Sequence, residues 1–426
     1  TLKKRGWIKK YESRKTRHVP YEKIINRITF AFLLFFCCLF SQLGMAIILG
    51  NVHWHTENNV AAVNYPRSYN VARDKAAFLD DYRQTAAVSL LKWFTEQIQQ
   101  GVNISNKGSS PISPRQIEFA IKRCENFIAM KNDEYLDVPE VPISSTEWDK
   151  FIDDYVMAKV KENDPQYELN GMRNIWILKP SNYCCGVGIA MAHKLSYIIK
   201  RVQDCARDYF IVQKYIEKPL LVKDTKFDVR QWYLVTNSYP LTIWIYKESF
   251  LRFSSRPFSF DSYHEAIHIC NTAVQNKYII PKTSIRYTGE PWYEQIYPKI
   301  CQAIIATMLA AQEHMDKRRY SFELYGADFV IMDDLSVWLI EINTNPRMHP
   351  PGTRITQRLY PNVLESLIKV IMDYPFDPNA DTGDFVLAYK QAITEIQPNT
   401  GLCLTALGKA MLTKSKIVQH TNWQYL

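Results

Sequence analysis

A chain of 426 residues with 47% hydrophobic content is long enough for a sizeable core and for two or three domains, and 26 Tyr and 20 Phe exclude a low-complexity polymer. The net charge of +9 implies attraction to something acidic: nucleic acid, a membrane surface or an acidic peptide. Zinc-finger spacing and an RNP-like aromatic pair are both missing, so no nucleic acid is expected. The nine cysteines are odd in number and form no CxxC pair, which fits a reducing compartment without a disulfide framework or a zinc site. No internal repeat or heptad run occurs, and a monomer is expected.

In chain order, residues 1–17 are strongly basic. Residues 30–49 carry no charge and meet the length rule for a membrane helix, with basic residues crowding the N-terminal side. Against this, Ser41, Gln42 and Gly44 break the run, and residues 42–50 also read as a buried strand ending at Gly50. Spanning is the minority reading. Phe78, Tyr82, Val88, Leu91 and Phe94 give residues 74–100 helical spacing. Residues 101–114 form a polar linker, and Pro114 opens a helix to about Met130. After a loop over 131–143, Ser144 or Ser145 caps a short helix.

From Asn174 strands and helices alternate. Strands are expected at NIWIL, at 209–216, at KFDVRQWYLV and at LTIWIYK, and helices at 194–203, 296–315 and 356–372. FELYGADFVIMDDLSVWLIEIN reads as a hairpin turning at Asp333–Ser336. Pairing Met332 with Val337 sets Asp328 opposite Glu341, with Asn343 on the same face as Glu341. Facing carboxylates repel unless a cation joins them, and these hard oxygens suit Mg²⁺ on a polyphosphate. The whole reads as an α+β chain of mainly antiparallel sheets with flanking helices.

Three further pieces accompany the hairpin. Lys179 ends a buried strand before a loop holding Gly186 and Gly188, placed to reach phosphate oxygens. Lys226, Asp228 and Arg230 share one strand face, and Arg230 is suited to stabilising negative charge on a transferred phosphoryl group. Gln213, Lys214, Tyr215 and Ile216 end a strand that can border an adenine edge. Together these match an ATP and magnesium site, although neither a P-loop nor HRD or DFG signatures occur.

WILKP, QKYIEKPLL, KFDVRQWYLV, HICNTAVQNKY and FELYGADF…VWLIEIN resemble the tubulin tyrosine ligase-like family, and PLTIWIYKESFLRFSSRPFS with INTNPRMHP most resembles its glycine ligase (monoglycylase) branch. LKKRGWIKK and TGDFVLAYKQ are similar to N- and C-terminal stretches of that branch. The resemblance implies an ATP-grasp-like fold. It divides the chain into a basic N-terminal region and small domain (1–72), a central domain with the phosphate loop (73–210), an ATP-grasp domain with the magnesium site (211–380) and a C-terminal extension (381–426). It implies an ATP-dependent ligase that joins glycine to glutamate side chains of tubulin tails through an acyl phosphate.

Carried over by motif, Lys179 and Lys214 hold phosphates or adenine, Gln213, Tyr215 and Ile216 frame adenine, and Lys226 and Asp228 contact the nucleotide. Gly186, Val187, Gly188 and Ile189 form the phosphate loop, and Asn271 lies near the terminal phosphate. Arg230 sits at the reacting carboxylate, and Asp328, Glu341 and Asn343 ligate magnesium, Glu341 with Arg230 being catalytic. The expected partners are ATP, Mg²⁺, glycine and microtubules, and the expected place is the cytoplasm and cytoskeleton, in a cilium or flagellar axoneme.

The chain departs from the family in the loop SNYCCGVGI, where Cys185 and Val187 replace basic residues. Each missing charged hydrogen bond costs about 1.5–3 kcal/mol. The alternative is therefore a catalytically weak or inactive relative that binds microtubules, and a more remote one is a membrane-anchored protein held by residues 30–49.

Overall fold

The computed structural model describes residues 31–32, 41–50, 52–101, 113–131, 156–181, 186–203, 210–278, 291–315, 321–346, 348 and 353–392. The basic N-terminus, most of the 101–114 linker, the 131–143 loop and the cap at Ser144 or Ser145 lie outside the described residues.

The first half holds β1 (Ala31–Phe32), α1 (Gln42–Gly50), β2 (Ser68–Asn70), α2 (Lys75–Gln99), α3 (Pro114–Lys131), α4 (Met157–Asn163), β3 (Trp176–Pro180), β4 (Ala190–Ala192) and α5 (Leu195–Gln203). Next come β5 (Phe210–Lys214), β6 (Leu221–Val222), β7 (Thr225–Ser238), β8 (Leu241–Tyr246) and β9 (Phe250–Phe253). The remainder is α6 (Glu265–His268), α7 (Thr272–Gln275), α8 (Tyr297–Ala311), β10 (Ser321–Ile331), β11 (Val337–Asn343), α9 (Arg354–Ile368) and β12 (Phe385–Lys390).

Two sheets organise these elements. The small one runs β2-β5-β3-β4, antiparallel throughout. The large one runs β1-β10-β7-β8-β12, with β11 on β10 and with β6 and β9 on β7. Its ladders are antiparallel except β1, which joins β10 in parallel. One face of the large sheet buries Tyr233, Ile243, Tyr325 and Phe329 under α1 and α8. The other buries Trp232, Trp244 and Phe385 under Leu359 and Val363 of α9.

The helices begin where local chemistry starts them. Gln116 reaches back to accept the Ser113 N–H at 2.8 Å beside Pro114, satisfying a donor that a helix start leaves open. Thr353 and Thr356 form a reciprocal capping box for α9. α2 serves two cores. Phe78 packs on the small sheet, while Val88, Leu91 and Phe94 pack against Ile121 of α3 and Val160 of α4.

Two expectations, the strand at 42–50 and the turn register, need correction, and most of residues 30–40 lie outside the described residues. Residues 42–50 are helical, not a strand, with Met45, Ile48 and Leu49 buried in the main core. Among the described residues no helix is long and apolar enough to cross a membrane. The hairpin turn pairs Ile331, not Met332, with Val337, and a bulge between Asp328 and Phe329 shifts the ladder by one residue. Asp328 still faces Glu341, because the bulge cancels the difference at the turn.

The sheets are tied by one extended run. Leu339 N–H donates to Asn64 O at 2.9 Å, and Lys214 N–H donates to Arg67 O at 2.9 Å. Residues 64–67 thus bridge β11 of the large sheet to the end of β5 in the small one.

Phe78 is fully buried, edge-on to Trp176 at 5.3 Å. Phe78→Ala is expected to cost about 3–5 kcal/mol in urea unfolding, because it empties the contact between α2 and the small sheet.

Candidate functional site

A cleft separates the two sheets. Ile177 and Lys179 of β3 and the run Gln213–Ile216 line one side, and Lys226, Asp228, Val330, Ile340 and Glu341 line the other. His268, Ile269, Cys270 and Asn271 close a third side, and Ile189 lies at the rim. A wider groove of about 700 Å³, bordered by Tyr293, Tyr297 and Val386, lies elsewhere and gathers no comparable set of charges.

Ladder register builds the charged row. Arg230 of β7 is opposite Asp328 of β10, Asp328 is opposite Glu341 of β11, and Asp228 is opposite Arg252 of β9. Arg230 grips Asp328 through both carboxylate oxygens, at 2.5 and 3.0 Å. Arg252 binds Asp228 at 2.6 and 2.7 Å and reaches Asp328 at 2.8 Å. Asn343 Nδ2 donates to Asp328 at 3.2 Å. Burial works to raise the Asp328 carboxyl, and Arg230 and Arg252 outweigh it, holding it below the usual carboxylate range. Gly326 makes room for this clamp, since a Cβ there would sit 3.1 Å from Arg230 Cδ.

Glu341 has a different environment. Its side chain has no ion pair or hydrogen bond among the described residues. Burial, and then the neighbouring Asp328 charge, raise its carboxyl above the usual range, while Lys179 opposes them. Among the described residues no group of three or more His, Cys, Asp or Glu is arranged to hold a metal. A cation here would therefore rest on two carboxylates and the Asn343 amide, with other ligands from substrate or water. That hard oxygen set, with one carboxylate lacking a partner, fits Mg²⁺.

The lysines divide by role. Lys179 is buried, donates to Ile340 O at 3.1 Å, and is lowered by burial to about 8 against the pull of Glu341. Lys226 Nζ lies 3.7 Å from Cys270 Sγ, a thiol that burial pushes up to about 11 and keeps unreactive. Lys214 borders the cleft, but its ammonium donates to Glu217 at 2.8 Å and to Ile175 O at 3.1 Å. Its charge is committed to a buried pair that anchors β3 to β5.

Gly186 and Gly188 adopt φ +79° and +77°, a region that glycine enters without strain. A Cβ on Gly186 would come within 2.6 Å of Val274 and 3.6 Å of Asn271, so this loop lies on the segment carrying Asn271. Val187 is half-exposed, and Cys185 lies outside the described residues.

Of the residues singled out from the sequence, Lys179, Ile189, the run Gln213–Ile216, Lys226, Asp228, Asn271 and Glu341 line the cleft, and Arg230, Asp328 and Asn343 join the charged row beside Glu341, while the Lys214 ammonium is turned to Glu217. Arg252, His268 and Glu217 were missed. Arg252 is the only charge in the short run FLRF, and a strand placed there would have set it beside Asp228. Glu217 stands three residues from Lys214, which was a legible pairing signal.

Glu217 also accepts the backbone N–H groups of Arg173 and Ile175 at 2.9 Å each. Glu217→Ala strands these donors and a buried ammonium, and is expected to cost about 3–5 kcal/mol in denaturant unfolding.

Comparison with known proteins converges on the same reading. The pattern of the Tubulin-tyrosine ligase family matches residues 126–292 and 278–381. Tubulin glycylase 3A of Drosophila melanogaster is 34% identical over 427 residues, covering 88% of this chain and 43% of that protein. Protein monoglycylase TTLL8 of Mus musculus is 33% identical, covering 86% and 53%. Tubulin monoglycylase TTLL3 of Danio rerio is 32% identical, covering 89% and 59%. The chain spans about half the length of the curated relatives it matches. With the family pattern covering more than half of its length and the charged cleft in place, the chain belongs to the tubulin-tyrosine ligase family.

Proposed function

We propose that this chain is an ATP-dependent ligase that joins glycine to glutamate side chains of tubulin tails. The observation that carries the reading is the row Glu341–Asp328–Arg230, with Lys226 on the same sheet and Lys179 facing it across the cleft. The choice of glycine rests on the relatives, which are glycylases and monoglycylases. Action on tubulin follows those relatives, and work on microtubules in the cytoskeleton, in a cilium or axoneme, is a further part of the proposal.

A carboxylate does not accept an amine until one oxygen becomes a leaving group. Its oxygen attacks the γ-phosphorus of ATP, and ADP departs. The glycine amine then adds to the acyl carbon, phosphate leaves with the former carboxylate oxygen, and the nitrogen gives up its proton as the isopeptide bond forms. Such a sequence needs charge neutralisation and alignment more than a strong acid or base. Lys179 and Lys226 bring cationic groups to the cleft wall, with Arg230 and Arg252 beside them on Asp328 and Asp228, and Arg230 is assigned to the reacting carboxylate. Gln213, Tyr215 and Ile216 border the adenine, Asp228 contacts the nucleotide, Asn271 lies near the terminal phosphate, and the Gly186–Ile189 loop covers the phosphates. Asp328, Glu341 and Asn343 would hold Mg²⁺, which when bound neutralises polyphosphate charge. Burial lowers Lys179 to about 8, and phosphate charge beside it would favour the protonated form.

The test is incorporation of labelled glycine into purified microtubules with ATP and magnesium, with labelled glutamate run in parallel. Glycine is expected to be incorporated and glutamate not. Glu341→Gln is expected to lower incorporation by at least about a hundredfold with the fold intact, because the cation loses a charged ligand. Glutamate incorporation would overturn the donor assignment, and unchanged activity in Glu341→Gln would overturn the metal assignment. Binding of ATP and microtubules with no incorporation would favour the non-catalytic relative.

A further inference from the structure

We infer that His268 is a positioning residue for the nucleotide end of the cleft, acting through the hydroxyl of Tyr215. This rests on the nucleotide reading above and assigns a group that the reading does not use.

The segment from Ser254 to Asn271 crosses between the sheets. It leaves the large sheet with Ser254 N–H donating to Lys226 O at 2.9 Å and Phe258 N–H to Asp224 O at 2.7 Å. It meets the small-sheet side where the Arg173 guanidinium lies over the Phe260 ring at 5.0 Å. The same segment carries Cys270 and Asn271 to the cleft wall. Its joint with β5 is His268, which is 2% exposed.

Both nitrogens of that imidazole are engaged. Nε2 lies 2.9 Å from Ser262 O, and Nδ1 lies 3.0 Å from the Tyr215 hydroxyl. A carbonyl oxygen only accepts, so Nε2 carries the proton. Burial lowers His268 to about 4 and raises Tyr215 well above its usual value, so both stay neutral. Nδ1 is therefore the acceptor, and the Tyr215 O–H donates to it. The ring is stacked on Phe260 at 6.0 Å and meets Tyr215 edge-on at 5.6 Å. One tautomer and one ring orientation follow. Tyr215 lies in the run 213–216 that borders the adenine, while Cys270 and Asn271 follow His268 directly. The hydrogen bond joins the adenine wall to the segment at the phosphate end.

The two ring nitrogens allow the positioning role to be separated from simple anchoring. Asn at 268 retains an acceptor where Nδ1 stood, and Gln retains a donor where Nε2 stood. ATP binding by displacement of a fluorescent nucleotide, together with KM and kcat, is measured for His268→Asn, His268→Gln and Tyr215→Phe. Tyr215→Phe and His268→Gln are expected to weaken ATP binding and raise KM about tenfold, with kcat changed less than about twofold. His268→Asn is expected to rescue binding to within about threefold of wild type. The reverse order, Gln rescuing and Asn failing, would assign His268 to anchoring Ser262 and overturn the inference. If neither His268 variant folds, Tyr215→Phe decides, and wild-type ATP affinity in it overturns the inference. Wild-type protein that binds no ATP removes the nucleotide reading itself, which is distinct from wild type and Tyr215→Phe binding ATP equally.

Discussion

Two carboxylates facing each other on adjacent strands are the constraint on which the rest of the site depends. Asp328 and Glu341 repel in any sheet that has no use for them. The fold answers that repulsion on one side only. Arg230 and Arg252 hold Asp328 ionised, while Glu341 is left with a raised pKa and no partner among the described residues. Breaking a buried ion pair generally costs several kcal/mol, so the Asp328 clamp is costly to disturb. Gly326 and the bulge after Asp328 are the local backbone features that make the row possible.

The row is useful only because the second sheet is fixed opposite it. Residues 64–67 tie β11 to β5, and the 254–271 segment runs from β9 to the wall at Tyr215. The Lys214–Glu217 pair secures the end of β5, so the ammonium of a lysine expected to hold phosphates or adenine is bound within the wall. Lys179 reaches across to the Ile340 carbonyl, beside Glu341. The buried cations and carboxylates of the cleft are thus held by both sheets together, which is the arrangement needed to align a carboxylate with a phosphoryl group.

Much of this was legible in the residues. α2 and α3 declared themselves by apolar spacing and by Pro114, and the pairing of Asp328 with Glu341 followed from alternation, though through a turn register that the bulge corrects. α1 was not legible, because QLGMAIILG is apolar at nearly every position and has no period to read. Its helical form depends on packing in the core beside α8. β9 is four residues long, and Arg252 interrupts its apolar pattern, so only its partner Asp228 explains it. Lys214 shows the limit of reading residue type alone: alternation sets it on the face opposite Gln213 and Tyr215. Family resemblance supplied positions for the site residues but not the pairings among Arg230, Arg252 and the two aspartates.

In the proposed reaction Asp328 and Glu341 together would hold the divalent cation that accompanies ATP. The most direct measurement replaces Mg²⁺ with Mn²⁺ and follows bound Mn²⁺ by electron paramagnetic resonance with a non-hydrolysable ATP analogue present. The account predicts protein-held Mn²⁺ in the wild type and its loss, or a weakening of at least about tenfold, in Glu341→Gln with unchanged circular dichroism. Mn²⁺ bound equally well by Glu341→Gln would contradict it.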